Sequence, residues 1–166
     1  MAQARTPLER VRLVVLDVDG VLTDGRLYFD AQGEALKVFH VRDGLGLKQI
    51  MRAGIDIAVI SGRRSEAVSA RCRELGIQLL EQSCEDKVTA LDRLLEQLRL
   101  SREQALCIVD DTSDLGLMRA AGVAVAVADA HSEVRAAADR VTTLNGGCGA
   151  VREVCDWLLA ARGSTR

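Results

Sequence analysis

Proline and aromatic residues are scarce in this 166-residue sequence. Pro7 is the one proline, and Phe, Trp and Tyr together make up 2%. Proteins that bind single-stranded nucleic acid stack its bases on aromatic side chains, so the composition argues against that class. The net charge of −2 offers no basic excess for a phosphate backbone either. We expect no nucleic acid partner.

Long apolar runs, paired cysteines and histidine clusters are also missing. No run approaches the roughly 20 apolar residues that span a bilayer, so we expect no membrane partner. The five cysteines form no CxxC pair, and only two histidines are present to assist a zinc site. The first residues, MAQARTPLER, contain no apolar signal-like stretch. These absences predict a cytoplasmic protein with reduced cysteines, of which Cys72, Cys107 and Cys155 suit the core.

Short apolar runs alternate with longer amphipathic segments along the chain. Continuous β-branched runs lie at 11–16, 55–60, 105–109 and 123–127, and weaker strand candidates at 76–80 and 139–143. Such runs are typical of strands that are covered on both faces, and these are mostly parallel.

Helical spacing of apolar residues predicts amphipathic helices over 86–98 and 149–160. A third helix is expected to begin at a cap, Asp43, and to end near Gly54. The alternation of strands and helices predicts one α/β domain over residues 1–166, with a doubly wound, mostly parallel, Rossmann-like sheet.

Residues 26–41 interrupt this alternation. Apolar and polar residues alternate there around a turn that contains glycine, which predicts a β-hairpin projecting from the fold. Because isolated two-stranded hairpins are marginally stable in water, we expect this one to pack on another subunit.

Polar residues follow three of the predicted strands, at the edge where open α/β sheets bind ligands. In chain order they are Asp17, Asp19, Ser61, Gly62, Arg63, Asp110 and Asp111. Lys87, at the start of the helix over 86–98, can supply a cation to the same edge. Each pattern alone has a simpler explanation, since a DxD is often a solvated turn and VDDTSD can begin a helix. Those explanations do not account for their coincidence at successive strand ends.

Carboxylates crowded at one sheet edge repel each other unless a cation compensates them. Oxygen ligands favour Mg²⁺, which pairs with a substrate phosphate. In such a site Asp17 can attack phosphorus, and Asp19 can protonate the leaving oxygen and later activate water. Ser61 can hydrogen-bond the phosphoryl oxygens, and Lys87 can balance their charge.

These motifs resemble the haloacid dehalogenase superfamily of phosphotransferases. DVDGVLT, VISG, Lys87 and DDTSD match its four motifs in order. The resemblance implies that Asp17 is the nucleophile and that Asp19 is the acid/base, with a backbone carbonyl on the metal. It also implies that Asp110 completes the Mg²⁺ site, supported by Asp111 and Asp114.

A closer resemblance extends over nearly the whole chain. VLTDGRLYF, FHVRDGLGLK, ISGR, VAVADAH and GGCGAVREVCDWLL are similar to the 3-deoxy-D-manno-octulosonate 8-phosphate phosphatase family of lipopolysaccharide synthesis. This implies no cap domain and a homotetramer, in which the hairpins form a central barrel and each site is covered by a neighbour. The implied substrate contacts are Asp19, His40, Val41, Arg42, Asp43, Gly44, Lys48, Gly62, Arg63, Arg71 and Lys87.

Spacing supports a shared cover independently of the resemblance. Asp17 and Ser61 are 44 residues apart, which the hairpin and one helix already fill. Ser61 and Lys87 are 26 apart, which a helix and a short strand fill. No room remains for a lid within the chain, so we expect a partner subunit to exclude water from the site.

The chain departs from the family pattern in three places. Val109 stands where the fourth motif begins with glycine, so a Cβ is expected to crowd the metal site or to point into the core. QSCEDK lacks a glycine after the glutamine, so the loop before Lys87 is expected to shift. Cys148 stands where an arginine is usual, which removes a cation.

Three other functions fit part of the pattern. A phosphatase for another sugar acid, such as a nonulosonate 9-phosphate, would need the same carboxylate and phosphate contacts. A catalytically impaired tetrameric interaction protein would be consistent with Val109. A signalling receiver domain has similar residues, but its acidic pair comes before the phosphorylated aspartate, and here the DxD comes first. We predict an Mg²⁺-dependent phosphomonoesterase for 3-deoxy-D-manno-octulosonate 8-phosphate.

Overall fold

A parallel sheet of six strands forms the centre of the protein. The computed structural model describes residues 7–163, apart from the side chain of residue 35. In chain order the strands are β1 (Leu13–Leu16), β2 (Tyr28–Asp30), β3 (Gly33–Leu36), β4 (Asp56–Ile60), β5 (Leu79–Glu81), β6 (Ala105–Val109), β7 (Val123–Ala126) and β8 (Arg140–Val141). The central sheet has the order β5-β4-β1-β6-β7-β8, and each neighbouring pair is parallel.

The helices pack in two groups. They are α1 (Pro7–Arg10), α2 (Val41–Arg52), α3 (Glu66–Leu75), α4 (Lys87–Leu98), α5 (Leu115–Ala120), α6 (Ser132–Ala137) and α7 (Ala150–Gly163), with 3₁₀ turns at Arg102–Gln104 and Thr112–Asp114. α7 packs along α1 and α2, whereas α4 and α6 pack on α5. No helix within residues 7–163 is long and apolar enough to cross a membrane.

The strands at the centre of the sheet are buried along their whole length. β1 lies between β4 and β6, and every residue of β1 and β6 is buried. A strand with no exposed side chain is covered on both faces, which confirms the predicted doubly wound α/β class.

The predicted apolar stripes face this core. Leu91 and Leu95 of α4 are buried, as are Val151, Val154 and Leu158 of α7. Each fully buried aliphatic side chain contributes about 1.5–3 kcal/mol. All five cysteines are free, and the three expected in the core are buried there.

The start of α2 differs from the prediction. His40, not Asp43, is the N-cap, since its Nδ1 accepts a hydrogen bond from the Arg42 amide at 3.2 Å. Asp43 lies inside the first turn and is buried. Its carboxylate accepts a hydrogen bond from the Arg152 amide at 2.8 Å, and so connects α2 to α7.

The hairpin is confirmed but is shorter than the predicted 26–41. β2 and β3 pair antiparallel over Tyr28–Asp30 and Gly33–Leu36, with an irregularity at Tyr28 and Phe29. Residues 37–40 are not part of the hairpin, because Lys37 forms an ion pair with Asp19 and His40 caps α2. Two predicted strands also shift, from 76–80 to Leu79–Glu81 and from 139–143 to Arg140–Val141.

Candidate active site

A cavity of about 520 Å³ opens beyond the carboxyl ends of β1, β4 and β6. Nine residues singled out in the sequence line it: Asp17, Asp19, Ser61, Gly62, Arg63, Lys87, Asp110, Asp111 and Asp114. The topology brings them together because parallel strands end at one edge of the sheet.

Lys87 joins two of the carboxylates in this cavity. Its Nζ lies 2.8 Å from Asp17 Oδ1 and 2.8 Å from Asp114 Oδ1. Asp86 caps α4 by accepting a hydrogen bond from the Thr89 amide at 3.0 Å, which fixes Lys87 as the first helical residue. All three charged groups are largely withdrawn from solvent.

One ammonium group for two carboxylates leaves excess negative charge. Burial raises the pKa of Asp17 to about 6, and the contact with Lys87 offsets this effect only in part. Burial by itself lowers the pKa of Lys87, but Asp17 and Asp114 more than offset that and raise it. Lys87 therefore stays charged, while Asp17 loses its proton at a higher pH than an exposed aspartate does.

Asp110 is a further carboxylate beside this group. Burial, followed by repulsion from Asp17, Asp111 and Asp114, raises the pKa of Asp110 to about 7. Gly20 has a φ of +86°, and a Cβ built on it would overlap the Asp110 carboxylate. Glycine at position 20 thus permits both the turn after β1 and the close approach of Asp110.

The donor set suits a hard divalent cation. Asp17 and Asp110 supply carboxylate oxygens whose raised pKa values reflect charge that a cation would compensate. Within residues 7–163, no three Asp, Glu, His or Cys side chains are yet arranged as a metal site. The Asp19 carboxylate contacts other cations, so Asp19 would contribute its backbone carbonyl, as the resemblance implies.

Asp19 takes part in an ion-pair network that the sequence analysis missed. Lys37 Nζ lies 2.6 Å from Asp19 Oδ1 and 3.0 Å from Glu34 Oε2. Arg63 lies 3.6 Å from Asp19 and 3.7 Å from Glu34. Strand alternation shows only that Glu34 and Lys37 are polar residues of the hairpin region, so no sequence signal indicated this contact.

Ser61 occupies the end of β4 as predicted. It is buried, and its Oγ accepts a hydrogen bond from the Arg63 amide at 3.2 Å. Its backbone oxygen accepts a hydrogen bond from the Cys84 amide at 3.0 Å, which connects the loop before α4 to the same strand end.

Seven predicted substrate contacts lie outside the cavity of this chain. They are His40, Val41, Arg42, Asp43, Gly44, Lys48 and Arg71, none of which lines it. Arg71 instead lies over the Phe39 ring, 5.8 Å from its centroid, and pairs with Glu74 at 2.8 Å. Val41 and Arg42 are exposed.

Comparisons with known proteins agree with this geometry. Residues 79–154 match the model of the haloacid dehalogenase-like hydrolase family. The 3-deoxy-D-manno-octulosonate 8-phosphate phosphatase of Salmonella typhi is 47% identical over 158 residues, which cover 95% of this chain and 84% of the relative. That of Haemophilus influenzae is 48% identical over 158 residues, 95% of this chain and 88% of the relative. The chain belongs to the 3-deoxy-D-manno-octulosonate 8-phosphate phosphatase family.

Solved structures of this family have the same fold. A cobalt-bound form from Haemophilus influenzae has a TM-score of 0.93 and 47% identity, covering 95% of this chain and 92% of its own. The enzyme from Moraxella catarrhalis, in complex with a magnesium ion, a phosphate ion and KDO, has a TM-score of 0.90 and 41% identity. It covers 93% of this chain and 89% of its own.

The departures from the family pattern leave the site assembled. Val109 is fully buried, so its side chain lies in the core. Ser83, which follows Gln82 where the family more often has glycine, adopts a φ of 53° in the left-handed region. Lys87 still reaches Asp17, so the expected displacement of Lys87 is not observed. Cys148 is exposed and does not line the cavity.

The raised pKa of Asp110 predicts a pH-dependent stability. A carboxyl group whose pKa rises on folding, here from 3.8 to about 7, loses stability as pH rises through that window. Asp110→Asn removes this loss. In chelator-treated buffer, we expect its Tm advantage over the wild type to grow by about 3–6 °C between pH 5 and pH 8.

Thermal melts at the two pH values check this expectation. Asp56→Asn, at an exposed aspartate where β4 begins, is the matched control and should show a constant difference. An Asp110→Asn difference that is the same at both pH values would contradict the role of crowded charge.

Proposed function

We propose that this protein is an Mg²⁺-dependent phosphomonoesterase that hydrolyses 3-deoxy-D-manno-octulosonate 8-phosphate to the sugar acid and phosphate. The observation that supports it best is a nucleophile candidate, Asp17, held by Lys87 in one cavity with Asp19 and Asp110. Relatives that are 47–48% identical are named for this activity. The sequence-based hypothesis and the geometry therefore point to the same reaction.

Oxygen atoms around Asp17 would hold the metal. The proposed ligands are the Asp17 and Asp110 carboxylates and the Asp19 backbone carbonyl, with Asp111 and Asp114 in support. When bound, Mg²⁺ would neutralise charge on the carboxylates and the phosphoryl group. The magnesium complex of the Moraxella catarrhalis relative supports this choice of metal.

The chemistry would proceed in two steps on the protein's own groups. An Asp17 oxygen attacks phosphorus, and the ester P–O bond breaks as Asp19 gives a proton to the leaving oxygen. Asp19 then takes a proton from water, which attacks phosphorus and releases phosphate from Asp17. Ser61 and the amide of Gly62 would hydrogen-bond the phosphoryl oxygens, while Lys87 orients Asp17.

Arg63 would recognise the sugar acid. Its guanidinium is about half exposed and lines the cavity, so it can pair with a substrate carboxylate. A nonulosonate 9-phosphate presents the same two charged groups, but the names of the relatives favour the octulosonate. The same relatives support a place in lipopolysaccharide synthesis, and a cytoplasmic location stays a prediction.

The cover of the site would come from a neighbouring subunit in a homotetramer. Exposed apolar side chains concentrate in a hairpin patch consisting of Leu27, Tyr28, Phe29, Leu36 and Val38. Exposed apolar side chains concentrated in one segment are typical of an interface. The predicted contacts at the surface, His40, Val41, Arg42, Lys48 and Arg71, would contact substrate in a neighbour's site in the tetramer, whereas Asp43 and Gly44 are buried and would only support them.

Replacing the nucleophile tests the reaction directly. Asp17→Asn should lower kcat for 3-deoxy-D-manno-octulosonate 8-phosphate by more than about 10³-fold, because an amide cannot form the phospho-enzyme. Phosphate release in the presence of Mg²⁺ measures it, and Asp56→Asn should behave like the wild type. An Asp17→Asn enzyme that keeps a tenth of the activity would refute the covalent mechanism.

A charge in the hairpin patch tests the assembly. Phe29→Asp should dissociate the tetramer, four chains of 17.9 kDa, and lower kcat/KM for the sugar acid at least about tenfold because the cover is lost. Light scattering and activity are measured at one micromolar concentration. Val141→Asp places the same charge at an exposed apolar residue outside the patch and should keep both properties. A monomeric wild type with full activity would refute the shared cover.

A further inference from the structure

Lys37 is the one lysine near the cavity that the proposed mechanism does not use, although its side chain is only 2% exposed. Burying an ammonium group is costly unless it is paired and hydrogen-bonded. Lys37 meets that condition, because it donates a hydrogen bond to Asp19 at 2.6 Å and pairs with Glu34 at 3.0 Å.

Lys37 approaches Asp19 from outside the cavity. Asp19 and Arg63 line the cavity, whereas Lys37 does not. Lys37 binds Oδ1 of Asp19, and the ion-pair partner of Oδ2 is Arg63 Nε at 3.6 Å. Because Arg63 lines the cavity and Lys37 does not, Oδ2 is the oxygen on the cavity side, and Oδ1 is the oxygen that Lys37 holds.

Glu34 holds Lys37 in this position. It accepts a hydrogen bond from Ser65 Oγ at 2.6 Å, and its other oxygen lies 3.0 Å from Lys37. Ser65 is buried and directly precedes α3, so the hairpin strand β3 is connected to the body of the protein at this point. Lys37 thus lies between Glu34, which Ser65 holds in place, and Asp19.

We propose that Lys37 is a positioning residue for Asp19, and that Glu34 fixes Lys37 for this purpose. The inference rests on the proposed function, in which Asp19 protonates the leaving oxygen. Without Lys37, the Asp19 carboxyl group keeps only the longer contact with Arg63, at 3.6 Å, and is held less firmly, whereas proton transfer requires a heavy-atom distance of about 2.6–3.2 Å. No direct contact with substrate is lost in this step, because Lys37 does not line the cavity.

The leaving group distinguishes this role from a structural one. An alkyl phosphate releases a strongly basic alkoxide and needs the proton from Asp19. Para-nitrophenyl phosphate releases a weakly basic phenolate, which departs without a proton. Hydrolysis of the phospho-enzyme, in which Asp19 also takes part, is common to the two substrates, so the leaving group must be followed in a single turnover, where its release reports only phosphoryl transfer to Asp17. In that measurement, loss of the positioning of Asp19 slows the first reaction and spares the second, whereas general damage to the site slows both.

The experiment compares the single-turnover rate of leaving-group release, and the enzyme concentration that half-saturates it, on the two substrate classes for Lys37→Met, which keeps most of the side-chain length but removes the charge. We expect the single-turnover rate on the sugar-acid phosphate to fall about 30-fold, within the range of general acid catalysis, with less than a threefold change in the half-saturating enzyme concentration. The loss on para-nitrophenyl phosphate should be below threefold. Lys37→Arg should recover most of the activity, and Arg64→Met, at an exposed cation that pairs with Glu66, should match the wild type.

Equal losses on both substrates, or no loss on either, would overturn the proposal. Melting temperature and mass show whether each variant is folded and assembled. If Lys37→Met does not fold, Glu34→Gln should also slow the alkyl phosphate more than para-nitrophenyl phosphate, by a smaller factor. If Glu34→Gln shows no such difference between the two substrates, the proposal is overturned. If wild-type enzyme rejects sugar-acid phosphates, the proposed substrate fails, and the difference is then measured with a simple alkyl phosphate.

Discussion

A single ammonium group, that of Lys87, compensates two buried carboxylates at the edge of the sheet. Asp17 and Asp114 share it, and no Lys or Arg side chain within residues 7–163 forms an ion pair with Asp110, which lies beside them. The remaining negative charge destabilises this edge of the fold and suits it to a divalent cation. The crowded carboxylates lower the stability of the folded protein but provide the ligands for a cation, a trade-off that is common in functional sites.

The surrounding structure makes this arrangement possible. β1 and β6 are fully buried, so their ends are held in register by the core on both faces. Gly20 leaves space for Asp110, and Asp86 fixes the start of α4 below Lys87. The charges therefore cannot separate to relieve their repulsion, and the mechanism we propose uses that constraint.

Much of this was predictable from sequence because it depends on local patterns. Apolar runs located the strands of the central sheet, and the polar residues that follow β1, β4 and β6 meet because parallel strands end at one edge. The cap at His40 was missed because Asp43 is the stronger capping residue by type, yet Asp43 is used to bind α7. Lys37 was missed because its contact with Asp19 depends on how the hairpin folds back, which no periodicity encodes.

The central claim is that Asp17 and Asp110 lie together in order to bind one hard dication. Isothermal titration of chelator-treated protein with MgCl₂ tests it most directly. We expect one Mg²⁺ per chain in the wild type, and at least about 100-fold weaker binding in Asp110→Asn, which lacks one of the carboxylate ligands. Wild-type protein that binds no Mg²⁺, or an Asp110→Asn variant with unchanged affinity, would contradict the claim.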